Sequence, residues 1–412
     1  MGQGYVGLPV AIRAVEVGFD VVGFDIDKTR IDRLRKAETF IDDVTDRDLT
    51  MAMSTVRYQL TNEEAALAGF DIAVVCVPTP LRDGAPDLSY VEDAARIIAP
   101  HITPRCCVIL ESTSYPGTTE EIFIPILEAG SGLRAGQQFC VGYSPERIDP
   151  GNEIWRFQNT PKIIAGVDQT SLQALADFYG RLVEHTVPVS GPREAELAKL
   201  LENTFRHVNI ALVNELAMYC HDLGLDVWSI IDAAATKPFG FMKFTPGPGV
   251  GGHCLPIDPS YLSWQVRRSL GHAFRFVDIA NDVNDHMPDY VVSRVIKYLN
   301  QQHKPVNGSR ILLVGLAYKR NSRDTRQSPA IAVAKQLDDL GADLRAIDPL
   351  INADEVPVFI RMVPSESAQI TDADLVIVLA DHDAIDWELF EQHADRVLDT
   401  RNRLRSRSAE RL

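Results

Sequence analysis

Gly2-Gln3-Gly4-Tyr5-Val6-Gly7, running directly into Leu8-Pro9-Val10-Ala11-Ile12, decides how the chain is read. Glycines at the first, third and sixth places of such a stretch permit a tight turn, close approach of a pyrophosphate, and packing of a helix on a strand. The helix that follows turns its free N–H groups toward the phosphates. Apolar positions from Leu8 to Val17 repeat at helical spacing, and Asp20–Asp25 (DVVGFD) is a strand-length run that ends in a carboxylate. A carboxylate there accepts hydrogen bonds from the adenosine ribose and repels a 2′-phosphate, so NAD is expected over NADP. Asp27 competes for that role, but the strand-end position favours Asp25. The strand that ordinarily leads into the glycines is not in the sequence, which opens at Met1. That strand is central in a doubly wound sheet, and its loss leaves edges unpaired. A start site set too late, or trimming, is the expectation.

Working outward, Asp71–Val77 and Cys106–Leu110 read as further strands, with a helical pattern at Tyr90–Ile98 between them. Strands alternating with helices imply a parallel sheet covered on both faces. From about Gly191 the period changes. Leu197, Leu200, Leu201, Phe205, Val208, Leu212 and Leu216 follow the three-and-four spacing of one long helix that stops at Gly224, and a second helix spans about Arg275–Leu299. After the polar stretch Gln301–Ser309, alternation returns with strands at Arg310–Gly315, Asp343–Ile347 and Asp374–Leu379 and a helix at Pro329–Leu340. The Arg-rich end, Arg401–Arg411, reads as a solvated tail. The expected fold is α/β: two Rossmann-like doubly wound domains joined by a long central helical span. Its parts are residues 1–190, a dinucleotide-binding domain; 191–300, a helical catalytic and dimerisation span; and 301–412, a second ligand-binding domain.

With 412 residues, 45% hydrophobic and 24% charged, the composition is that of a globular chain. Lys and Arg total 41 against 57 Asp and Glu, a net charge of −16. Such a surface argues against nucleic acid or an anionic membrane as partner, so an anionic ligand needs a local basic pocket. No apolar run reaches the roughly 18 residues of a membrane span. The six cysteines have neither metal nor disulfide spacing, which suits a reducing cytoplasmic setting.

Pro238–Pro259 reads PFGFMKFTPGPGVGGHCLPIDP. Its prolines stiffen the backbone and its glycines bring main-chain N–H groups near a ligand. Cys254 ends this loop, just before Asp258-Pro259, a pair that looks like a helix cap and first-turn proline. A helix start lowers a thiol pKa, which marks Cys254 as a candidate nucleophile. Lys199 and Asn203 stand one helical turn apart, with Arg206 and Asn214 on the same polar stripe. That stripe is either a solvated helix face or two donors aimed at a developing oxyanion; spacing alone leaves both open.

GQGYVGLP (2–9), CVPTP (76–80), ESTSYPGTT (111–119), SPERIDPG (144–151), ELAKLLENTFRHVNIALVNELA (196–217), GVGGHCLPIDP (249–259) and GLAYKRNSRDTRQSPA (315–330) occur in this order. Together they resemble the nucleotide-sugar dehydrogenases of the UDP-glucose/UDP-mannosaminuronate dehydrogenase superfamily, over nearly the whole chain. The resemblance implies NAD as cofactor and a four-electron oxidation of a sugar alcohol to a carboxylate through a cysteine thiohemiacetal and thioester. It also implies a homodimer or larger homo-oligomer and no metal. By motif, Cys254 would be the nucleophile, Lys199 and Asn203 the oxyanion donors, and Asp258 the support for the thiol and for hydrolysis. Glu146 would position substrate or water, and Thr113 would lie beside the nicotinamide. Gly2, Gly4, Tyr5, Val6, Gly7, Asp25, Pro78, Thr79 and Thr113 would hold the cofactor. Glu146, Arg147, Arg206, His207, Phe244, Gly247, Gly251, Lys319 and Arg326 would hold the UDP-sugar.

SPERIDPG and Ile257 look like the N-acetylhexosamine branch, and FGFMKFTPGPGVGGHC is similar to the UDP-N-acetylglucosamine 6-dehydrogenases. The expected order is UDP-GlcNAc, then UDP-ManNAc, then a UDP- or TDP-glucose. Two rivals come from other classes. A two-electron hydroxyacid dehydrogenase of similar plan would yield one NADH per substrate rather than two. A silent nucleotide-sugar binder would bind no NAD.

Overall fold

The computed structural model describes residues 1–412 apart from 42–43, 150–151, 153 and 253–254. Cys254 therefore lies outside the described residues. Two compact units emerge: Met1–Glu202 with Ser260–His272, and Asn203–Pro259 with Ala273–Leu412. Both are α/β.

The first unit begins with α1 (Gly7–Glu16), β1 (Val21–Phe24), α2 (Lys28–Arg35), α3 (Asp46–Ser54) and β2 (Tyr58–Thr61). Asp27 caps α2 by accepting from the N–H groups of Thr29 and Arg30, and Thr45 with Asp48 forms a capping box on α3. Leu8, Ile12, Ile31, Leu34, Leu49 and Leu60 close a core between these helices and the parallel pair β1–β2. Next come β3 (Ile72–Val75), a short hairpin of β4 (Leu81–Arg82) and β5 (Ala85–Pro86), α4 (Ser89–Ile98), β6 (Cys107–Leu110) and α5 (Ile124–Ser131). β7 (Cys140–Tyr143), β8 (Lys162–Gly166), α6 (Gln169–Leu182) and β9 (Thr186–Pro188) complete it. These strands make a five-stranded sheet in the order β3-β6-β7-β8-β9, parallel except between β7 and β8.

β1–β2 and the five-stranded sheet are thus separate sheets, and Met1 and Gly2 lie between them. The Met1 amine donates to Val74 O at 2.7 Å, Cys76 N donates to Met1 O at 2.8 Å, and Gly2 N donates to Phe24 O at 2.9 Å. β6 is buried along its whole length, whereas Ile72, Ala73 and Val74 of β3 are only half-buried.

α7 (Pro192–Leu223) gives its first turns to one unit and the rest to the other. Gly224, at φ +67°, ends it. Its burial does not follow the apolar stripe. Leu200 is buried, but Leu201 and Leu212 are 62% and 61% exposed and Leu197, Phe205 and Leu216 also face outward, while Lys199, His207 and Asn214 are buried.

α8 (Val227–Ala235), α9 (Asp258–Leu270), α10 (Arg275–Gln301), β10 (Arg310–Val314), α11 (Pro329–Asp339), β11 (Asp343–Ile347), β12 (Arg361–Met362), β13 (Leu375–Val378), β14 (Val397–Asp399) and β15 (Glu410–Arg411) follow. The second unit's sheet is wholly parallel, in the order β12-β11-β10-β13-β14-β15. Taking β10 as first, this is the doubly wound order 3-2-1-4-5-6, with its switch point between β10 and β13, where ligands collect. Gly315 follows β10 at φ +79°, and a Cβ there would meet Ala380 O at 2.2 Å. The Arg-rich end is not a solvated tail. β15 pairs with β14, Leu404 and Ala409 are buried, and Arg294 of α10 reaches Glu410 at 2.6 Å. Apolar residues spaced among the arginines supply the packing that composition hid.

Candidate functional site

In the first unit the three glycines do three different things. Gly2 has φ +82°, and a Cβ on it would lie 2.3 Å from Cys76 O. A Cβ on Gly7 would lie 1.8 Å from Gly2 O, so α1 packs on the turn only as glycine allows. A Cβ on Gly4 would meet nothing within 4 Å, which leaves open the place where a pyrophosphate approaches. The cradle fits a dinucleotide. Val6 precedes the first residue of α1, and Tyr5, partly exposed, sets its ring edge-on to Phe40. Asp25 is buried, accepting from Gln3 N at 2.7 Å and from Arg30 Nη1 at 2.8 Å. A ribose reaching it meets Arg30 at the same carboxylate.

The CVPTP and EST segments are fastened together. Val77 N donates to Ser112 Oγ at 2.9 Å, and that hydroxyl donates to Val77 O at 2.8 Å. Pro78 is exposed, Thr79 is buried with its carbonyl accepting from Tyr261 at 2.5 Å, and Thr113 is half-buried. Glu111, fully buried, accepts from Tyr179 Oη at 2.5 Å and Cys76 Sγ at 3.3 Å, and pairs with Lys162 Nζ at 2.9 Å. Burial, then Glu111, push the Cys76 thiol well above its usual range. Lys162 also reaches Glu146 Oε2 at 3.5 Å. Arg147 is bound to Glu202 at 2.7 Å and donates to Pro161 O at 2.6 Å, so it ties the SPER segment to α7.

Sequence reasoning missed Glu196. This α7 residue is fully buried and accepts from Gly117 N at 2.7 Å, from Thr119 N at 2.9 Å and from its hydroxyl at 2.7 Å, and from Ser114 at 3.3 Å. It clamps the turn after Thr113 one helical turn before Lys199. Burial lifts its carboxyl to about 7 against those donors. The available signal was an acidic residue on the face that bears Lys199.

In the second unit Asn203 Nδ2 donates to Asp258 Oδ2 at 2.5 Å, joining α7 to the buried first residue of α9. A cavity of about 360 Å³ gathers Arg206, Phe244, Gly247, Gly251 and Lys319, all expected from the sequence. Tyr318, Lys243 and Arg401 also line it and were not expected. A Cβ on Gly251 would strike Gln327 O at 2.6 Å, so that position requires glycine, while one on Gly247 would meet the guanidinium of Arg401 at 2.4 Å. Phe244 sets its ring edge-on to Phe205. Burial draws Arg401 below its usual range, opposed by Asp381 and Asp399.

Two expected residues are not among those that line the cavity. Arg326 is exposed and pairs with Asp324 at 2.6 Å, and its carbonyl accepts from Gly252 N at 3.1 Å. His207 is buried, its Nε2 2.8 Å from Asn281 Oδ1. Asn284 Nδ2 donates to His207 Nδ1 at 3.3 Å, Asn214 Nδ2 donates to Asn284 Oδ1 at 2.9 Å, and Gly247 N donates to Asn214 Oδ1 at 3.0 Å. His207 thus stands behind the cavity loop. Burial lowers its pKa, opposed by the Asn281 bond. Among the described residues, no group of three or more His, Cys, Asp or Glu could hold a metal, and no helix is long and apolar enough to cross a membrane.

Comparison with known proteins agrees with this geometry. Residues 1–183 match the NAD binding domain of the UDP-glucose/GDP-mannose dehydrogenase family, 193–286 its central domain, and 312–406 its UDP binding domain. The chain is 36% identical over 359 residues to a UDP-N-acetyl-D-glucosamine 6-dehydrogenase of Pseudomonas aeruginosa, covering 86% of this chain and 83% of that one. It is 34% identical over 392 residues to a UDP-N-acetyl-D-mannosamine dehydrogenase of Pyrococcus horikoshii, covering 94% and 90%. A solved UDP-D-ManNAc dehydrogenase structure from P. horikoshii superposes with a TM-score of 0.88 at 33% identity, covering 97% of this chain and 94% of that one.

Proposed function

The chain belongs to the UDP-glucose/GDP-mannose dehydrogenase family and is an NAD-dependent nucleotide-sugar dehydrogenase, and from that premise we propose that it oxidises UDP-GlcNAc at C6 to the uronic acid. The observation that carries this reading is the cavity of the second unit. In a protein of net charge −16 it collects Lys319, Arg206 and Arg401, cations for a diphosphate and for a sugar carbonyl, beside the apolar ring of Phe244. An N-acetyl group offers such a site a carbonyl acceptor and a methyl. UDP-ManNAc, the epimer at C2, is the second reading, favoured by the likeness to the P. horikoshii enzyme.

NAD, when bound, accepts one hydride at each of two oxidations. The chain's own residues do the rest. The Cys254 thiolate adds to the aldehyde carbon to give a thiohemiacetal, which becomes a thioester at the second oxidation. Lys199 and Asn203 donate to the tetrahedral oxygen, a cationic and a neutral donor; removing one such donor typically costs about 2.7–4 kcal/mol. Asp258, which accepts from Asn203, supports the thiol and the hydrolysis step. Glu146 takes the proton of the hydrolytic water, and Thr113 lies on the cofactor side. In this reading residues 1–190 hold NAD, 191–300 carry the reacting groups, and 301–412 hold the UDP moiety. The outward apolar face of α7 supports a homodimer, and the unpaired, non-metal spacing of the cysteines supports a cytoplasmic setting.

The test is NADH production against UDP-GlcNAc, UDP-ManNAc and UDP-glucose. Two NADH should form per sugar, and UDP-GlcNAc should exceed UDP-glucose in kcat/KM by at least about tenfold, roughly 1.4 kcal/mol. One NADH per sugar would overturn the four-electron reading. A preference for glucose would overturn only the branch.

A further inference from the structure

Lys162 opens β8, and its side chain is 4% exposed. Its Nζ lies 2.9 Å from Glu111 Oε1 and 3.5 Å from Glu146 Oε2, above the rings of Tyr179 and Phe157 at 5.3 and 5.5 Å. The two carboxylates are held differently. Glu111 has no exposed surface and accepts from a phenol and a thiol besides the ammonium. Glu146 is 13% exposed; one of its oxygens accepts from the N–H groups of Arg147 and Ile148, and the other faces Lys162. Lys162 is the only cation within ion-pair distance of Glu146 among the described residues. Burial opposes the ammonium's charge, but Glu111 and then Glu146 outweigh it and raise its pKa.

A lysine buried only for stability needs one counter-charge. This one has two, the second partly exposed, with a lone pair on Oε2 still available at the long 3.5 Å contact. We propose that Lys162 is a positioning residue that fixes Oε2 of Glu146 as the acceptor of the hydrolytic water's proton. In that step the water oxygen bonds to the thioester carbon and its proton passes to Glu146. The C–S bond breaks, and the Cys254 thiolate leaves with the electron pair. The inference rests on Glu146 acting in hydrolysis, as proposed above.

The experiment uses the full chain with saturating NAD and UDP-GlcNAc, or UDP-ManNAc if that is the sugar turned over. Denaturing mass spectrometry reads acyl-enzyme on Cys254 in Glu146→Gln, Lys162→Met and Lys162→Arg. Lys162→Met should lose on the order of 10²-fold in turnover, the low end of a general base contribution, with acyl-enzyme accumulating and KM for the sugar falling rather than rising. Lys162→Arg should restore hydrolysis. Accumulation in Glu146→Gln but not in Lys162→Met overturns the inference. No accumulation in either overturns the reading of Glu146 instead. If Lys162→Met does not fold, Lys162→Met/Glu111→Gln removes the stranded carboxylate and carries the same readout.

Discussion

Two buried polar networks, one in each unit, are made of different chemistry. In the first unit Lys162, Glu111 and Glu146 bring formal charges together behind the EST and SPER segments. In the second, Gly247, Asn214, Asn284, His207 and Asn281 form a chain of neutral amides and an imidazole behind the cavity loop. A charged network can take up a proton and orient a base, but it is fragile, since losing one member strands another in low dielectric. A neutral one holds a backbone segment still and loses only a hydrogen bond when cut. Under the proposed function, the contrast separates a network that orients a base from one that steadies the loop lining the cavity.

The strongest way to break that contrast is Lys162→Met. Stranding Glu111 should cost about 3–5 kcal/mol in urea denaturation, and Lys162→Met/Glu111→Gln should recover part of it. A loss below that of the next variant would erase the distinction. Asn214→Ala should cost about 1–3 kcal/mol, because Gly247 N–H and Asn284 Oδ1 lose their partner. It should also raise KM for the UDP-sugar while leaving NAD affinity unchanged; weakened NAD binding would deny the second network its separate role.

A smaller effect comes from pH. His207 is held below its ordinary 6.5, so between its folded value and 6.5 the unfolded chain binds more protons, and stability falls as pH drops through that window. Glu196 is lifted from 4.5 to about 7, so the folded chain binds more protons there, and stability falls as pH rises across that range. Thermal melts from pH 4 to 8 should therefore show the acid-side loss shrinking in His207→Gln and the loss toward neutrality shrinking in Glu196→Gln. Identical profiles in both variants and the parent would refute the assignment. The smallest effect tests the surface. Asp20→Asn breaks an exposed pair with Arg57 and should change stability by less than about 1 kcal/mol.

What the sequence conveyed followed from local physics. Gly2, Gly4 and Gly7 could be read because left-handed backbone and close approach demand glycine, and β10, β11 and β13 because parallel strands are apolar on both faces. The periodicity of α7 was also legible, but not its sides. Spacing defines a stripe without saying what covers it: Leu201 and Leu212 of that stripe lie outside, while Leu200, Lys199 and Asn214 lie inside. His207 was assigned to the sugar by motif, yet it lies against Asn281 and Asn284, successive helical residues pointing about 100° apart. Lys162 was invisible because a lysine opening KIIAG looks like an ordinary solvated strand end. Its partners come from distant segments that only the sheet brings together.

The Glu196 clamp has a consequence on the time axis. The amides of Gly117 and Thr119 sit in a turn, where exchange with solvent deuterium is ordinarily fast. Their acceptor, however, belongs to a 32-residue helix. Those two protons can leave only when that helix opens or the carboxylate lets go, so they should exchange at the slow rate of the core around α7 rather than that of a loop.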